Sequence, residues 1–257
     1  MQCLPNNAEL TVYVVDDGST DGTAAAVTHR FPRVRIIAGD GGLYWGGGMR
    51  LAWSVAAAAD YDAYLWLNDD TKLVSTAIST LLASLRTAAS IGRPGIIVGS
   101  TCDPDSGRLT YGGYSGRDTL IEPAWQMQLC DTMNGNIVLV PYIVFQVVGN
   151  LCPEFRHNGG DMDYGLRARK AGFKIWVAPG FLGSCRQNPP PSWSDPSVPF
   201  RSRWRSLQGP KGLPVRERYI FCRRHYQLAW PLDILKLYLR VSLPGPWYWL
   251  KRLTGKI

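Results

Sequence analysis

Residues 10–15 form a short apolar, β-branched run that breaks off at Asp16-Asp17-Gly18-Ser19-Thr20-Asp21-Gly22-Thr23. An apolar run closed by turn residues predicts a buried strand, and the alanine-rich stretch 24–29 behind it predicts a helix. The alternation continues along the chain. Strands are expected over 34–37, 63–67, 95–98, 136–140 and 174–178, and helices over 49–59, 76–89 and 161–171. The strands are apolar on both faces, as in a sheet covered on both sides. The fold class expected is α/β, a mostly parallel sheet flanked by helices. Past Asn188 the texture changes. Pro189-Pro190-Pro191 and scattered Trp and Arg predict an extended arm, with helical stretches following over 215–225 and 232–241. The division expected is an α/β domain over residues 1–185 and an arm with a helical, basic appendage over 186–257.

Composition narrows the class. A chain of 257 residues with 46% hydrophobic positions can bury a substantial core. Its six cysteines, at 3, 102, 130, 152, 185 and 222, are far apart and form no Cys-x-x-Cys pair. That spacing speaks against a disulfide scaffold or a structural zinc site and suits a reducing cytoplasm. The first residues carry neither a basic head nor an apolar run, so no signal peptide is expected. The longest apolar stretch, 137–149, contains Pro141 and falls short of the ~20 residues of a membrane-spanning helix.

Charge is unevenly placed. Residues 201–257 hold 13 Lys/Arg against Glu217 and Asp233, a net of +11, whereas the first 200 carry 15 basic and 18 acidic residues, a net of −3. A basic tail suits an anionic membrane surface, nucleic acid or plain solvent. Acidic clusters in the front portion would repel a phosphate backbone, so no nucleic-acid partner is expected. Pro244-Gly245-Pro246-Trp247-Tyr248-Trp249-Leu250-Lys251-Arg252 mixes aromatics with cations, which fits a membrane headgroup region.

Two acidic clusters fall at strand ends: Asp16-Asp17 after the first strand, and Asn68-Asp69-Asp70 after the third. In open α/β sheets ligands gather at the carboxyl ends of strands. Carboxylates crowded there suit a hard cation that also takes nucleotide phosphate. Turn and N-cap chemistry accounts equally well for either cluster alone. Asp161 and Asp163 open a helix whose dipole favours the ionised carboxylate, which suits a general base or an ordinary cap. Between the clusters lies Gly41-Gly42-Leu43-Tyr44-Trp45-Gly46-Gly47-Gly48-Met49-Arg50. Its glycines, Gly46 and Gly47 among them, could bring backbone N–H groups close to a diphosphate, with Arg50 neutralising charge, or could form a connector. Trp45, Trp66 and Trp125 are candidates for stacking on a sugar or base, or for the core.

The order strand-DDGSTDGT, Gly-rich segment, strand-NDD and HNGGDMDYGLRARKAG resembles the family 2 inverting glycosyltransferases of the GT-A, Rossmann-like fold, above all the bacterial members that build surface polysaccharides. The resemblance covers roughly residues 8–180. It implies a nucleotide-sugar donor, a saccharide or lipid-linked saccharide acceptor, Mg2+ or Mn2+ as cofactor, and a place in the cytoplasm or at the inner face of the cell membrane. It puts Asp17 on the nucleobase with Asp16 beside it, and Asp69 with the donor. Asp70 becomes the metal ligand, helped by Asn68 where relatives carry an acid. Asp161 becomes the base that deprotonates the acceptor, with His157 and Asp163 near that acceptor. Where many relatives have Glu before the base, this chain has Gly160. His225 falls where some such enzymes place a late metal ligand. The family completes its base pocket with an earlier strand, lying between those at 10–15 and 63–67. Only nine residues precede the first strand here, so a late-starting sequence is expected. A nucleotidyltransferase, or a non-catalytic nucleotide- or sugar-binding remnant, is the alternative.

Overall fold

The computed structural model describes Leu4, residues 8–226 and residues 229–246. Cys3 and the stretch 247–252, which carries most of the aromatic–basic tail motif, lie outside the described residues. The chain divides into two compact units, Met1–Pro153 with Gly160–Gln187, and Glu154–Gly159 with Asn188–Ile257.

The first unit is α/β. It begins with β1 (Tyr13–Asp16), α1 (Thr23–Arg30), β2 (Arg35–Ala38) and α2 (Tyr44–Ala56). Then come β3 (Ala63–Leu67), β4 (Lys72–Leu73), α3 (Ala77–Ser90) and β5 (Gly95–Cys102). Five short strands follow: β6 (Leu109–Tyr111), β7 (Gly113–Ser115), β8 (Thr119–Leu120), β9 (Gln128–Cys130) and β10 (Thr132–Met133). The unit closes with β11 (Ile137–Pro141), α4 (Tyr142–Val148), α5 (Gly160–Lys170) and β12 (Lys174–Ser184).

The central sheet runs β3-β11-β5-β12-β4, with β6 added to β5 and β9 to β12. Its pairing corrects the expectation of a mostly parallel sheet. β5 and β12 pair in parallel, but β11 lies antiparallel to both of its neighbours, β3 and β5. The chain travels back through β6–β10 before β11, so β11 enters from the opposite edge. β3, β5 and β12 therefore end where β11 begins, and one edge gathers four chain segments. β1 and β2 form a separate parallel pair and make no ladder with β3. The Tyr13 hydroxyl bridges toward β3, 3.0 Å from that of Tyr61, and accepts a 2.9 Å hydrogen bond from Arg35.

Period-two alternation sorts the core into two layers. Trp66, Ile96, Val98, Val138, Val140, Ile175 and Val177 face α2, α4 and α5, meeting Trp53, Val144, Tyr164 and Ala168. Ile97, Ile137, Leu139 and Trp176 face the other way, onto Ala77, Leu81 and Ala88 of α3. The α/β class, with helices on both faces of a sheet, holds. β12 continues to Ser184, past the expected end at 178, because Pro179-Gly180 falls at a register shift rather than ending the strand; Gly180 has φ 64°.

The second unit is helical: a 3₁₀ turn at Ser192–Ser194, α6 (Phe200–Gln208), α7 (Val215–His225) and α8 (Trp230–Ser242). Trp193, Leu207, Leu237 and Val241 form its core. Buried Arg203 donates to the carbonyls of Val241 and Val198, satisfying its guanidinium inside that core. Within this unit the 154–159 segment is tied down by ion pairs from Arg156 to Glu217 (3.6 Å) and from Arg216 to Glu154 (2.8 Å). No helix among the described residues is long and apolar enough to cross a membrane.

Candidate active site

The loop after β1 is knotted to the start of α2. Asp16 accepts the amide N–H of Ser19 at 3.0 Å, a local turn bond. Asp17 reaches further. One oxygen accepts the N–H of Gly41 (2.8 Å), and the other accepts those of Leu43 (2.9 Å) and Tyr44 (3.1 Å). The carboxylate thus fills the amino end of α2, where backbone donors would otherwise lack partners. Close approach makes this geometry depend on Gly39, where a Cβ would stand 2.6 Å from the Asp17 carboxylate oxygen.

Gly46 and Gly47 correct their expected placement. They lie within the first turns of α2, not in a loop ahead of it, and the N–H of Gly47 already bonds the carbonyl of Leu43 at 3.0 Å. The anion-attracting end of this helix is already engaged by Asp17. Arg50 sits half-buried farther along α2.

Trp45, on the first turn of α2, links the remaining parts. Its indole Nε1–H donates to Asn68 Oδ1 at 2.7 Å, and its ring lies where a Cβ on Gly135 would stand 2.3 Å from it. The N–H of Gly135 donates to one Asp161 oxygen at 2.9 Å, and that of Met162 to the other at 2.8 Å. Asn68 in turn follows β3 and donates its N–H to the carbonyl of Asn136, just before β11. Trp45, Asn68 and Asp161 are therefore joined through successive contacts at one edge of the central sheet, and Asp17 reaches them through the N–H of Tyr44, the residue before Trp45. Asn68 orients Trp45 with one lone pair of its amide oxygen, and a second lone pair remains for a cation.

Desolvation pushes the Asp161 pKa up, against the downward pull of the Met162 and Gly135 N–H bonds. The two bonds fix the carboxylate, and the raised pKa makes it a stronger base once ionised. Substituting Gly135 by alanine must displace the Trp45 ring and break its tether to Asn68. The expected outcome is roughly a 10²-fold loss of turnover with the fold kept, read by kinetics beside circular dichroism. Unchanged kinetics would remove Trp45 from the site.

Asp69 and Asp70 project from an exposed turn after β3. The Thr71 hydroxyl lies 3.4 Å from Asp70, and the Asn136 amide lies 3.5 Å from Thr71 and 3.6 Å from the Cys185 thiol. Burial pushes that thiol's pKa up and the Asp70 charge adds to it, while Thr71 and Asn136 oppose. Among the described residues no three His, Cys, Asp or Glu side chains make a metal cage. A carboxylate pair on an open turn fits instead an ion held by one or two carboxylates together with phosphate oxygens and water, as Mg2+ commonly is.

Asp163 stands in the interior of the first unit. It is fully buried and paired with Arg167 at 2.8 Å, and Arg167 also donates to the carbonyls of Val148 and Asn150. It therefore serves as an internal clamp between α5 and the segment after α4. His157 lies in the second unit, where burial and the Lys211 charge lower its pKa. His225 ends α7 there, packed on the Phe221 ring at 4.9 Å. Trp66 is core, and Trp125 stands 97% exposed. Gly135, Asn136, Thr71 and Cys185 are neighbours of the site that sequence reasoning missed. Their one signal was Asn134-Gly135-Asn136, a turn cluster directly before an apolar strand. A groove lined by Ser79, Arg86, Thr87, Gln126 and Trp176 carries no acid and is separate from this chemistry.

Residues 2–117, a little under half of the chain, match the family model described as glycosyl transferase family 2. No curated protein matches the chain in sequence. Among solved structures, GalNAc-T7 crystallised with UDP, GalNAc and Mn2+ is 13% identical with a TM-score of 0.51, over 84% of this chain and 44% of that one. S. aureus TarS is 13% identical with a TM-score of 0.54, over 88% and 39%. Its 1–349 form gives 13% and 0.53, over 93% and 71%. The chain thus spans less than half the length of the first two. At this identity the likeness shows the fold alone: the chain has the α/β architecture of GT-A glycosyltransferases, with a family 2 sequence match over residues 2–117.

Proposed function

We propose that this chain is an inverting glycosyltransferase that moves a sugar from a nucleotide-sugar donor to an acceptor hydroxyl, in the assembly of bacterial surface polysaccharide. The observation that carries the reading is Asp161, a carboxylate of raised pKa aimed by two backbone N–H groups. It stands on the sheet edge that also presents Asn68, Asp69 and Asp70. The family match and the UDP- and Mn2+-bound structural neighbour support a nucleotide-sugar donor and a divalent cation.

In this reading Asp161 takes the proton from the acceptor hydroxyl as the oxygen attacks the anomeric carbon from the face opposite the leaving group. A single base with no partnered nucleophile gives inversion. Asp70, with Asp69 and Asn68, would hold Mg2+ or Mn2+, which supplies positive charge against the departing nucleoside diphosphate. Asp16 and Asp17 shape the donor loop, Arg50 faces donor phosphate, and Trp45 walls the sugar side. The acceptor is a saccharide or a lipid-linked saccharide, met in the cytoplasm or at the inner face of the cell membrane.

The test is release of nucleoside diphosphate from a panel of nucleotide sugars, with Mn2+ and with chelator. Expected are metal-dependent release and a loss of donor affinity of about tenfold or more in Asp70→Asn, seen by calorimetry. Donor binding with no turnover on any sugar would favour a non-catalytic remnant instead. Turnover and donor affinity both indifferent to metal and to Asp70→Asn would overturn the assignment of that site.

A further inference from the structure

The second unit carries an apolar stripe that its own core does not use. On α8, Asp233, Leu237 and Val241 recur at four-residue spacing and are buried. On the opposite side Leu232, Leu235, Leu239 and Leu243 recur at spacings of three and four, and they are 60%, 53%, 42% and 54% exposed. A helix of 3.6 residues per turn puts Leu232, Leu235 and Leu239 on one line, and Leu243 follows at the C-cap of α8. A surface helix normally shows polar residues there, so the stripe calls for a partner.

Its surroundings say which. Exposed Lys236 flanks the stripe on one side and Tyr238 on the other. Tyr238 stacks on Trp204 of α6 with ring centroids 5.7 Å apart, and Trp204 meets Phe200 at 6.4 Å. Arg201 and Arg205 line the same face of α6. The unit holds 14 Lys/Arg against 4 Asp/Glu, a net of +10. Two of those acids, Glu217 and Asp233, are buried, and Glu154 is paired with Arg216. Among the described residues of this unit Asp195 is the one acid left exposed and unpaired with arginine, so the outward charge there is almost wholly positive. Two copies meeting at the stripe would bring these like charges together, whereas anionic headgroups would neutralise them.

We propose that the second unit docks on an anionic lipid surface, with the Leu232–Leu235–Leu239–Leu243 stripe of α8 entering the acyl boundary. The aromatic and arginine side chains of α6 then lie at headgroup level, the level Trp and Tyr favour in membranes. The inference stands apart from the chemistry of the first unit, and its test reads lipid binding alone.

The full chain is sedimented with vesicles of neutral phosphatidylcholine and with vesicles containing about 30% phosphatidylglycerol, a content that gives a strongly negative surface. Binding is expected on the anionic vesicles, weakening as salt rises from about 0.1 to about 0.5 M. Leu235→Ser with Leu239→Ser, both exposed positions, should keep the parent's melting temperature and lower vesicle affinity by about tenfold or more. Arg201→Glu with Arg205→Glu should abolish the preference for anionic lipid. No binding of the parent to anionic vesicles, or undiminished binding of the leucine variant, would overturn the proposal. So would a lipid-free dimer that the leucine substitutions split, which would assign the stripe to a second copy.

Discussion

Replacing Asp161 by asparagine is expected to cut turnover by about 10²–10⁴-fold while donor affinity stays within a few-fold of the parent. In the proposed role Asp161 acts only as the acceptor loses its proton, so ground-state binding survives its replacement. The same substitution changes the pH dependence of stability. The fold raises the Asp161 pKa, so the folded chain holds that proton more tightly than the unfolded one. Its contribution is fully present below the ordinary carboxylate value and is lost as pH climbs through the raised value. Asparagine carries no charge at any pH. The melting temperature of Asp161→Asn relative to the parent is therefore expected to rise as pH climbs from the ordinary carboxylate value through the raised one. A flat difference across that range would refute desolvation as the cause of the shift. Activity of the parent should follow the opposite course and grow as the base ionises.

Asp163→Ala is the largest stability effect expected in the first unit. It would leave the Arg167 guanidinium beside a buried, uncompensated space, because Asp163 is fully buried and its partner is only 22% exposed. Breaking such a pair costs about 3–5 kcal/mol, and in a chain of this size that lowers the melting temperature by roughly 10 °C. Asp163→Leu combined with Arg167→Met should recover part of the loss, since no lone charge then remains inside. Thermal unfolding of the three variants decides the matter. An unchanged melting temperature with a raised acceptor KM would return Asp163 to the acceptor site.

Asp161 and Asp163 open the same helix, yet one is the candidate base and the other a clamp. The sequence places both on the first turn of α5, and helical geometry 200° apart sends them to different surroundings. No spacing argument could say which faces the edge, because that depends on β10 and β11. The two core layers were legible: alternation within β3, β5, β11 and β12 assigns each apolar residue a face. The strands of two or three residues between Leu109 and Met133 were not, since runs so short carry no period. With them went the reversal of β11 and every consequence of it, including the arrival of Gly135, Asn136 and Cys185 beside Asp70 and Asp161. The Gly-rich segment misled for a different reason. Glycine is a poor helix former, but packing and a side-chain cap override that propensity at the start of α2.

That override has a cost which Asp17 bears. Three successive glycines forgo about 1 kcal/mol each relative to alanine in a helix, so the opening turn of α2 has little intrinsic reason to persist. It is pinned by one carboxylate accepting the N–H groups of Gly41, Leu43 and Tyr44. Asp17 Oδ1 accepts only the Gly41 N–H and keeps one lone pair for a further donor, but loss of the carboxylate itself would release all three N–H groups. Fraying there would reach Trp45 next, and through its indole the grip on Asn68. Loss of the Asp17 carboxylate would thereby loosen side chains well beyond the turn that it caps.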